Sequence, residues 1–431
     1  MRLKINNFAK VKTADLELKG ITVIAGENNT GKSTVGKVLF AMFNSMSELK
    51  DKIYNQKREL VDSILERELN NLFLEQNESS EFLPMSPIFY FSDVLDVLLD
   101  ADEHKKEQVI ISCMENSGLD VNPADVDNIL QEINSVNGIS EDLLIEAAVS
   151  DYFKDIFSSD INSKIDKESM ASVQALVKEK SLAFQFDNNK CVSVERQFNV
   201  LNSATYIDNP FVIDKMNTYR QGDTVAERDI LEKLRRHVEG GIVSKVYVEA
   251  QLKEAMSHLR DVFAGHITEN KAGSYIYLDE ELGEDISISN LSTGLKAFVL
   301  IQTLLEKGSI QKKDVLILDE PEIHLHPQWQ LSFAEIIVLL EKIFDLTIVV
   351  TTHSAHFLEA IQVYSQKYGL EDKCTYYLSK SGEQGSVFED VTEKPEKILG
   401  QLVEPNILLD RIRVQLEEEM NGEDERIPKG G

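Results

Sequence analysis

The chain is 431 residues long and 42% hydrophobic, with 74 Asp and Glu against 45 Lys and Arg and a formal net charge of −29. Such a length buries a substantial core over roughly two or three domains or lobes, and the acidic balance opposes nucleic-acid binding unless a local basic face overcomes it. No apolar run approaches a membrane span, the start MRLKINNF has no signal-peptide core, and Cys113, Cys191 and Cys374 lack C-x-x-C spacing, so the expectation is a soluble, cytoplasmic protein without disulfides or a zinc knuckle.

Residues 2–8 (RLKINNF) and 12–18 (KTADLEL) alternate apolar and polar, the pattern of two half-buried strands. Ile21, Val23 and Ile24 form a third apolar strand, and residues 35–42 read as a helix. Between them lies GENNTGKST, residues 26–34, a complete G-x-x-x-x-G-K-[ST] match in the strand-to-helix context that a phosphate-binding loop requires. Gly26 and Gly31 allow the backbone to turn, so that the N–H groups of the loop (Asn28, Asn29, Thr30 and Thr34 included) and the helix N-terminus cradle phosphates. Lys32 then reaches the β- and γ-phosphates of ATP, and the Ser33 hydroxyl is a ligand for Mg²⁺.

Residues 44–180 are read as mostly helical from apolar spacings of three and four: Leu60, Ile64, Leu69 and Leu72, then Val94, Leu95, Leu98 and Leu99. Pro84, Pro87 and Pro123 mark breaks, and no heptads are sustained. Residues 61–160 hold 23 Asp and Glu against 4 Lys and Arg, so this stretch is either a solvated helical surface or a docking face for a basic partner. A β-rich stretch follows: LAFQF and CVSVE flank the hairpin turn DNNK, and ATYI precedes Asp208-Asn209-Pro210. Residues 225–264 return to charged helix, SYIYLD and ISISN read as strands around an acidic turn, and residues 415–431 read as a frayed end.

In NLSTGLKAF, residues 290–298, Ser292 and Gly294 open an apolar helix whose N-terminus is a further anion site, or else an ordinary helix cap. VLILDEPEIHLHP, residues 315–327, has the form of a buried parallel strand ending in Asp319 and Glu320, where an α/β sheet places ligands. There Asp319 holds Mg²⁺ and Glu320 orients and deprotonates the attacking water. TIVVTTHS, residues 347–354, is another apolar strand, ending in His353, which can reach a γ-phosphate.

These four motifs, in this order, resemble the Walker A, signature, Walker B and switch-histidine motifs of the ATP-binding-cassette superfamily. LSTGLK departs from the transporter form LSGGQ toward the SMC and RecF side. DEPEIHLHP with TTHSAHFL looks like the ATPases of OLD-like proteins and of anti-phage systems such as Septu and PARIS. The resemblance implies an α/β head with a mixed sheet and antiparallel β lobe formed by residues 1–43 and 181–400. The resemblance is specific over residues 1–42 and 270–360; residues 44–180 match no named family and are read from their spacing as an acidic, mostly helical insertion, with a C-terminal helix and tail at 401–431. It also implies a homo-oligomer, at least a dimer, with ATP sandwiched between heads. Lys32, Ser33, Asp319, Glu320 and His353 then act in cis, and Ser292, Thr293, Gly294 and Lys296 act in trans. No glutamine sits in a clear Q-loop context, and Asn209 is the nearest substitute. His324 and His326 read as packing or dimer contacts rather than metal ligands.

OLD nucleases carry a C-terminal Toprim domain, whose acidic pattern is missing from the residues after His353, so cutting would fall to a separate effector nuclease. The reading is therefore an ATPase subunit of a prokaryotic defence complex. The alternative, a RecF- or SMC-like repair ATPase binding DNA directly, needs a basic groove, for which Arg235, Arg236, Lys245 and Lys253 are the local candidates. A transporter subunit fits the motifs least.

Overall fold

The computed structural model describes residues 1–47, 49–76, 93–200, 202–218, 222–236, 257 and 264–424; Pro84, Pro87, Lys245 and Lys253 lie outside them. The chain divides into two compact units, Met1–Ser47 with Val149–Gly431, and Glu48–Ala148.

The first unit is organised on one sheet. Its strands are β1 (Arg2–Phe8), β2 (Val11–Glu17), β3 (Ile21–Gly26), β4 (Ala171–Val177), β5 (Lys180–Asp187), β6 (Lys190–Arg196) and β7 (Ala204–Ile207). After a separate small sheet of β8 (Gly265–Glu269), β9 (Tyr275–Asp279) and β10 (Glu284–Ile286), it is completed by β11 (Val315–Asp319), β12 (Thr347–Thr352), β13 (Cys374–Lys380) and β14 (Ser386–Asp390). The strand order is β6-β5-β4-β1-β2-β14-β13-β3-β12-β11-β7. From β6 to β2 the pairs are antiparallel, from β13 to β7 they are parallel, and β14 joins the two halves. This is the mixed sheet with an antiparallel lobe expected from the motifs.

The two halves follow two sequence patterns. In β1 and β2 every second residue is apolar and buried: Leu3 pairs with Leu16 and Ile5 with Ala14, giving one covered face. All six residues of β3 are buried, because a parallel strand is covered on both sides. Helix α1 (Lys32–Met46) covers one side through Val35, Val38 and Leu39. On the other side, Val23, Leu318, Val350 and Leu378 join a core with Phe298, Phe333 and Phe357 from three helices described below. Each such side chain contributes roughly 1.5–3 kcal/mol by leaving water, so the sheet ends beneath the loops are rigidly held.

The second unit packs α2 (Leu49–Gln76), α3 (Leu95–Asp100), α4 (Glu103–Asn116) and α5 (Pro123–Asn137) around Leu65, Leu69, Leu98, Ile110, Met114, Ile129 and Ile133. Of the apolar positions read from the sequence, Ile64, Leu69, Leu95 and Leu98 supply that core and Leu72, Val94 and Leu99 pack against it, while Leu60 is exposed. Asp102 and Asn122 cap α4 and α5 by accepting the N–H of Lys105 and of Ala124. Helix α6 (Glu141–Phe157) spans the boundary between the two units' residue ranges at Val149. The remaining helices are α7 (Val225–Arg235), α8 (Thr293–Glu306), α9 (Pro327–Phe344), α10 (Ala355–Tyr368) and α11 (Glu396–Asp424).

The structure departs from the sequence reading in four places. Residues 415–424, expected as part of a frayed end, continue the helix Glu396–Asp424. Residues 149–180, expected within the helical insertion, belong to the sheet unit, and β4 pairs directly with β1. Ala171, Val173 and Ala175 alternate in a period of two, too short a run to stand out beside long helices. ISISN is a 3₁₀ turn over Ile288–Asn290, and its strand pairing is taken up by Glu284–Ile286. The strand Gly265–Glu269 was not anticipated. Among the described residues no helix is long and apolar enough to cross a membrane.

Candidate functional site

The phosphate loop leaves β3 at its C-terminal end, Asp319 ends β11, and His353 follows β12; β12 lies between β3 and β11. Three adjacent parallel strands thus deliver the three motifs to one edge of the sheet. Gly26 has φ 145° and Gly31 φ 79°, and a Cβ on Gly26 would lie 2.3 Å from Ser379 Oγ. Gly26→Ala is expected to destabilise the protein by about 2 kcal/mol or more, from overpacking and backbone strain together, read as a lowered unfolding midpoint.

The loop is braced from positions that the motif does not contain. Thr30 Oγ1 donates to Glu27 O at 2.8 Å and shares a 2.6 Å hydrogen bond with Ser379 Oγ, while Lys10 Nζ donates to Asn29 Oδ1. Lys32 is buried, and its ammonium donates to Glu27 O at 2.8 Å and Gly26 O at 3.2 Å. Burial pushes its pKa below the usual lysine value, opposed by the carboxylates of Glu320, Asp319 and Glu322.

Ser33 Oγ donates to Asp319 Oδ1 at 3.1 Å. Thr351 Oγ1 donates to the same oxygen, and Tyr206 OH donates to Asp319 Oδ2 at 2.6 Å. A hydroxyl facing an oriented carboxylate is a donor set of hard oxygens suited to Mg²⁺. Tyr206, on β7, carried no motif signal. Tyr206→Phe is expected to leave the fold intact and weaken Mg²⁺ dependence on the order of 10-fold, measured by titrating Mg²⁺ against nucleotide binding.

Glu320 has φ 51°, a strained backbone position for this residue, held by its N–H donating to Thr351 O and Oγ1 at 3.1 and 3.0 Å. Its Oε1 lies 2.8 Å from His353 Nε2. Burial first, and then the Lys32 charge, lower the His353 pKa, with Glu320 opposing, so the imidazole is neutral at neutral pH. Buried Glu322 links the acidic loop to the switch strand: its Oε1 accepts from Thr352 Oγ1 at 2.5 Å and from His353 N–H at 2.9 Å. Burial raises the pKa of its carboxyl. The cluster can therefore hold a cation, bind phosphate oxygens and accept a proton.

A cleft of about 540 Å³ opens over this edge, with residues 29–34 and Glu320 among its lining. Asn28 is an exposed loop residue, and Thr34 completes the turn into α1. Ser292, Thr293, Gly294 and Lys296 do not line it. Ser292 caps α8 by accepting the N–H of Leu295, and Gly294 packs against the Trp329 ring, where a Cβ would come within 2.7 Å. Lys296, expected to face a partner copy, turns inward: its ammonium meets Asp214 Oδ2 at 2.7 Å and Ser289 O at 3.3 Å, 4.9 Å above the Phe211 ring centre. A buried ammonium requires such a counter-ion, and Asp214 supplies it. Asn209 Oδ1 accepts the N–H of Phe211, capping a 3₁₀ turn. His324 packs edge-on to Phe211, and His326 Nδ1 accepts the N–H of Gln328 at the start of α9. The guanidinium of Arg235, proposed above for a basic groove, donates to the carbonyls of Lys215, Met216 and Thr218, while Arg236 is exposed.

An AAA ATPase domain matches residues 1–358, most of the chain. The chain belongs to this family of ATPase domains. Septu protein PtuA of Bacillus thuringiensis is 29% identical over 128 residues, 25% of this chain and 32% of that protein, so the match spans about a third of that relative's length. Among solved structures, the SMC head domain from Thermotoga maritima is 12% identical, with a TM-score of 0.39 over 90% of this chain and 98% of that one. The SmcHead bound to the C-winged helix domain of ScpA is 10% identical, with a TM-score of 0.39 over 92% and 98%. The family assignment rests on the domain match.

Proposed function

We propose that this AAA ATPase chain hydrolyses ATP, pairs with a second copy through bound nucleotide, and thereby controls a separate effector nuclease in a prokaryotic anti-phage complex. The observation that carries the hydrolysis reading is the gathering of Lys32, Ser33, Asp319, Glu320 and His353, drawn from distant parts of the sequence, at adjacent strand ends. In this reading Lys32 and the loop N–H groups bind the phosphates, Glu320 takes the proton of the attacking water, and neutral His353 contacts the γ-phosphate. Ser33 and Asp319 would hold Mg²⁺, which when bound offsets the negative charge of the phosphate oxygens. Glu322, bonded to the His353 backbone, keeps that strand end in register with the acidic loop.

The partial similarity to a Septu protein supports the defence role. The −29 charge and the engagement of Arg235 with backbone carbonyls weigh against direct DNA binding. The N-terminus of α8, with exposed Ser292 and with Thr293, is the part of the signature open to a partner copy, and Lys296 supports it from within. The test is mass determination of the Glu320→Gln protein with ATP and Mg²⁺, co-expressed with its neighbouring gene product. A stable complex with a second protein supports the reading, and a bare dimer that captures DNA overturns it.

A further inference from the structure

The 540 Å³ cleft is not lined by the phosphate loop and Glu320 alone. Its lining also includes Ala9, Lys10, Phe157, Asp160, Asn162, Lys164 and Ile165, together with the turn between β13 and β14. Residues 157–166 reach this position after the helical unit, on a segment with no recognised motif. We propose that they are the nucleoside wall of the site: Ile165 and Phe157 contact the purine ring, and Asp160 accepts hydrogen bonds from its N–H groups. The proposal rests on the nucleotide reading above and deepens it.

The cleft volume falls within the range for small-molecule sites and leaves room beyond the loop for more than phosphates. The segment is fixed at many points. Ala9 N–H donates to Ile161 O at 2.7 Å, and Ser163 N–H to Asn7 O at 3.1 Å. The N–H groups of Ile161 and Asn162 both donate to Asn189 Oδ1 at 2.9 Å, and Asn162 Oδ1 accepts the N–H of Asn189 at 2.9 Å. Lys12 Nζ bonds Asp166 Oδ2 at 3.0 Å. Ala9, which lines the cleft, and Ser158 and Ser159, between the lining residues Phe157 and Asp160, have strained φ of 49°, 49° and 66°. A wall held this way is pre-organised and loses little freedom when a ligand arrives.

Its chemistry suits a flat heterocycle with N–H groups at its edge. Phe157 is half-buried and backed by Phe8 at 4.9 Å and Phe153 at 6.0 Å between ring centres. Ile165 lines the cleft and is 57% exposed, so its apolar side chain is open to a ligand in the cleft. The Asp160 carboxylate, oriented by Lys164 Nζ at 2.8 Å, can only accept hydrogen bonds when ionised.

The test is calorimetric titration of the full chain with Mg-ATP and, separately, with Mg-tripolyphosphate, which carries phosphates and no nucleoside. Ile165→Glu and Asp160→Ala change exposed side chains and should fold normally. Each is expected to weaken ATP binding on the order of 10-fold, the scale of one lost pocket contact, while tripolyphosphate binds as to the unaltered chain. Unchanged ATP affinity in both variants, with Lys32→Ala abolishing binding, would overturn the wall and leave the nucleotide site standing. Equal losses for the two ligands would also overturn it. If the unaltered chain binds neither ligand, the nucleotide reading itself fails, and the wall with it.

Discussion

Lys32→Ala is expected to remove ATP binding. The Lys32 ammonium is buried beneath the loop, donating to the carbonyls of Gly26 and Glu27, and it is the cation facing Asp319, Glu320 and Glu322. Phosphates entering this edge bring negative charge toward those carboxylates, and the lysine is what makes the approach favourable. Deleting one partner of a buried charge pair costs about 3–5 kcal/mol, or roughly 100-fold or more in affinity. Calorimetry with Mg-ATP reads the loss directly, and circular dichroism should show the fold retained. A variant that still binds ATP within threefold of the parent chain would remove the phosphate loop from the argument.

Glu320→Gln is expected to separate binding from turnover. The amide has nearly the same shape, occupies the same strained strand end and leaves Lys32, Ser33 and Asp319 in place, so ATP affinity should hold. It cannot take a proton, and removing a positioned general base lowers rates by about 10²- to 10⁴-fold. Phosphate release under saturating ATP measures the fall. The same protein should accumulate in its nucleotide-bound, paired form, which mass determination detects as twice the chain mass. Normal turnover in this variant would refute the role of Glu320 and shift attention to His353, 2.8 Å away.

The parts of the site that the sequence made legible are those in which chemistry dictates local spacing. A loop that wraps phosphate needs glycines at fixed offsets and a lysine at the helix start, so residues 26–34 can be read without knowing what lies beside them. The apolar runs ending in Asp319 and His353 are legible for a related reason: a strand covered on both faces is largely apolar, and its end is where a charged or titratable group can sit. Tyr206, Thr351 and Ser379 carried no such pattern. They act on the loop and on Asp319 only because β7, β12 and β13 lie alongside β11 and β3, and strand order is not written in any local stretch.

The signature helix shows the same limit from the other side. Its motif placed Ser292 correctly at a helix start, as the cap geometry of α8 bears out. The direction of Lys296 depended on Asp214, 82 residues earlier, whose carboxylate draws the ammonium inward. Residues 157–166 likewise read, from the sequence alone, as part of a helical insertion, whereas β4, which follows them, pairs with β1.

By itself, then, the sequence determined an acidic α/β chain with a phosphate loop, a carboxylate pair at one strand end and a histidine at another, because periodicity and motif spacing are local properties of the chain. Only the tertiary structure decided which distant hydroxyls orient Asp319, where Lys296 points and which residues line the cleft beside the phosphate loop. Those contacts join residues separated by tens to hundreds of positions, and they arise from strand pairing and burial rather than from any preference that a single stretch of sequence can express.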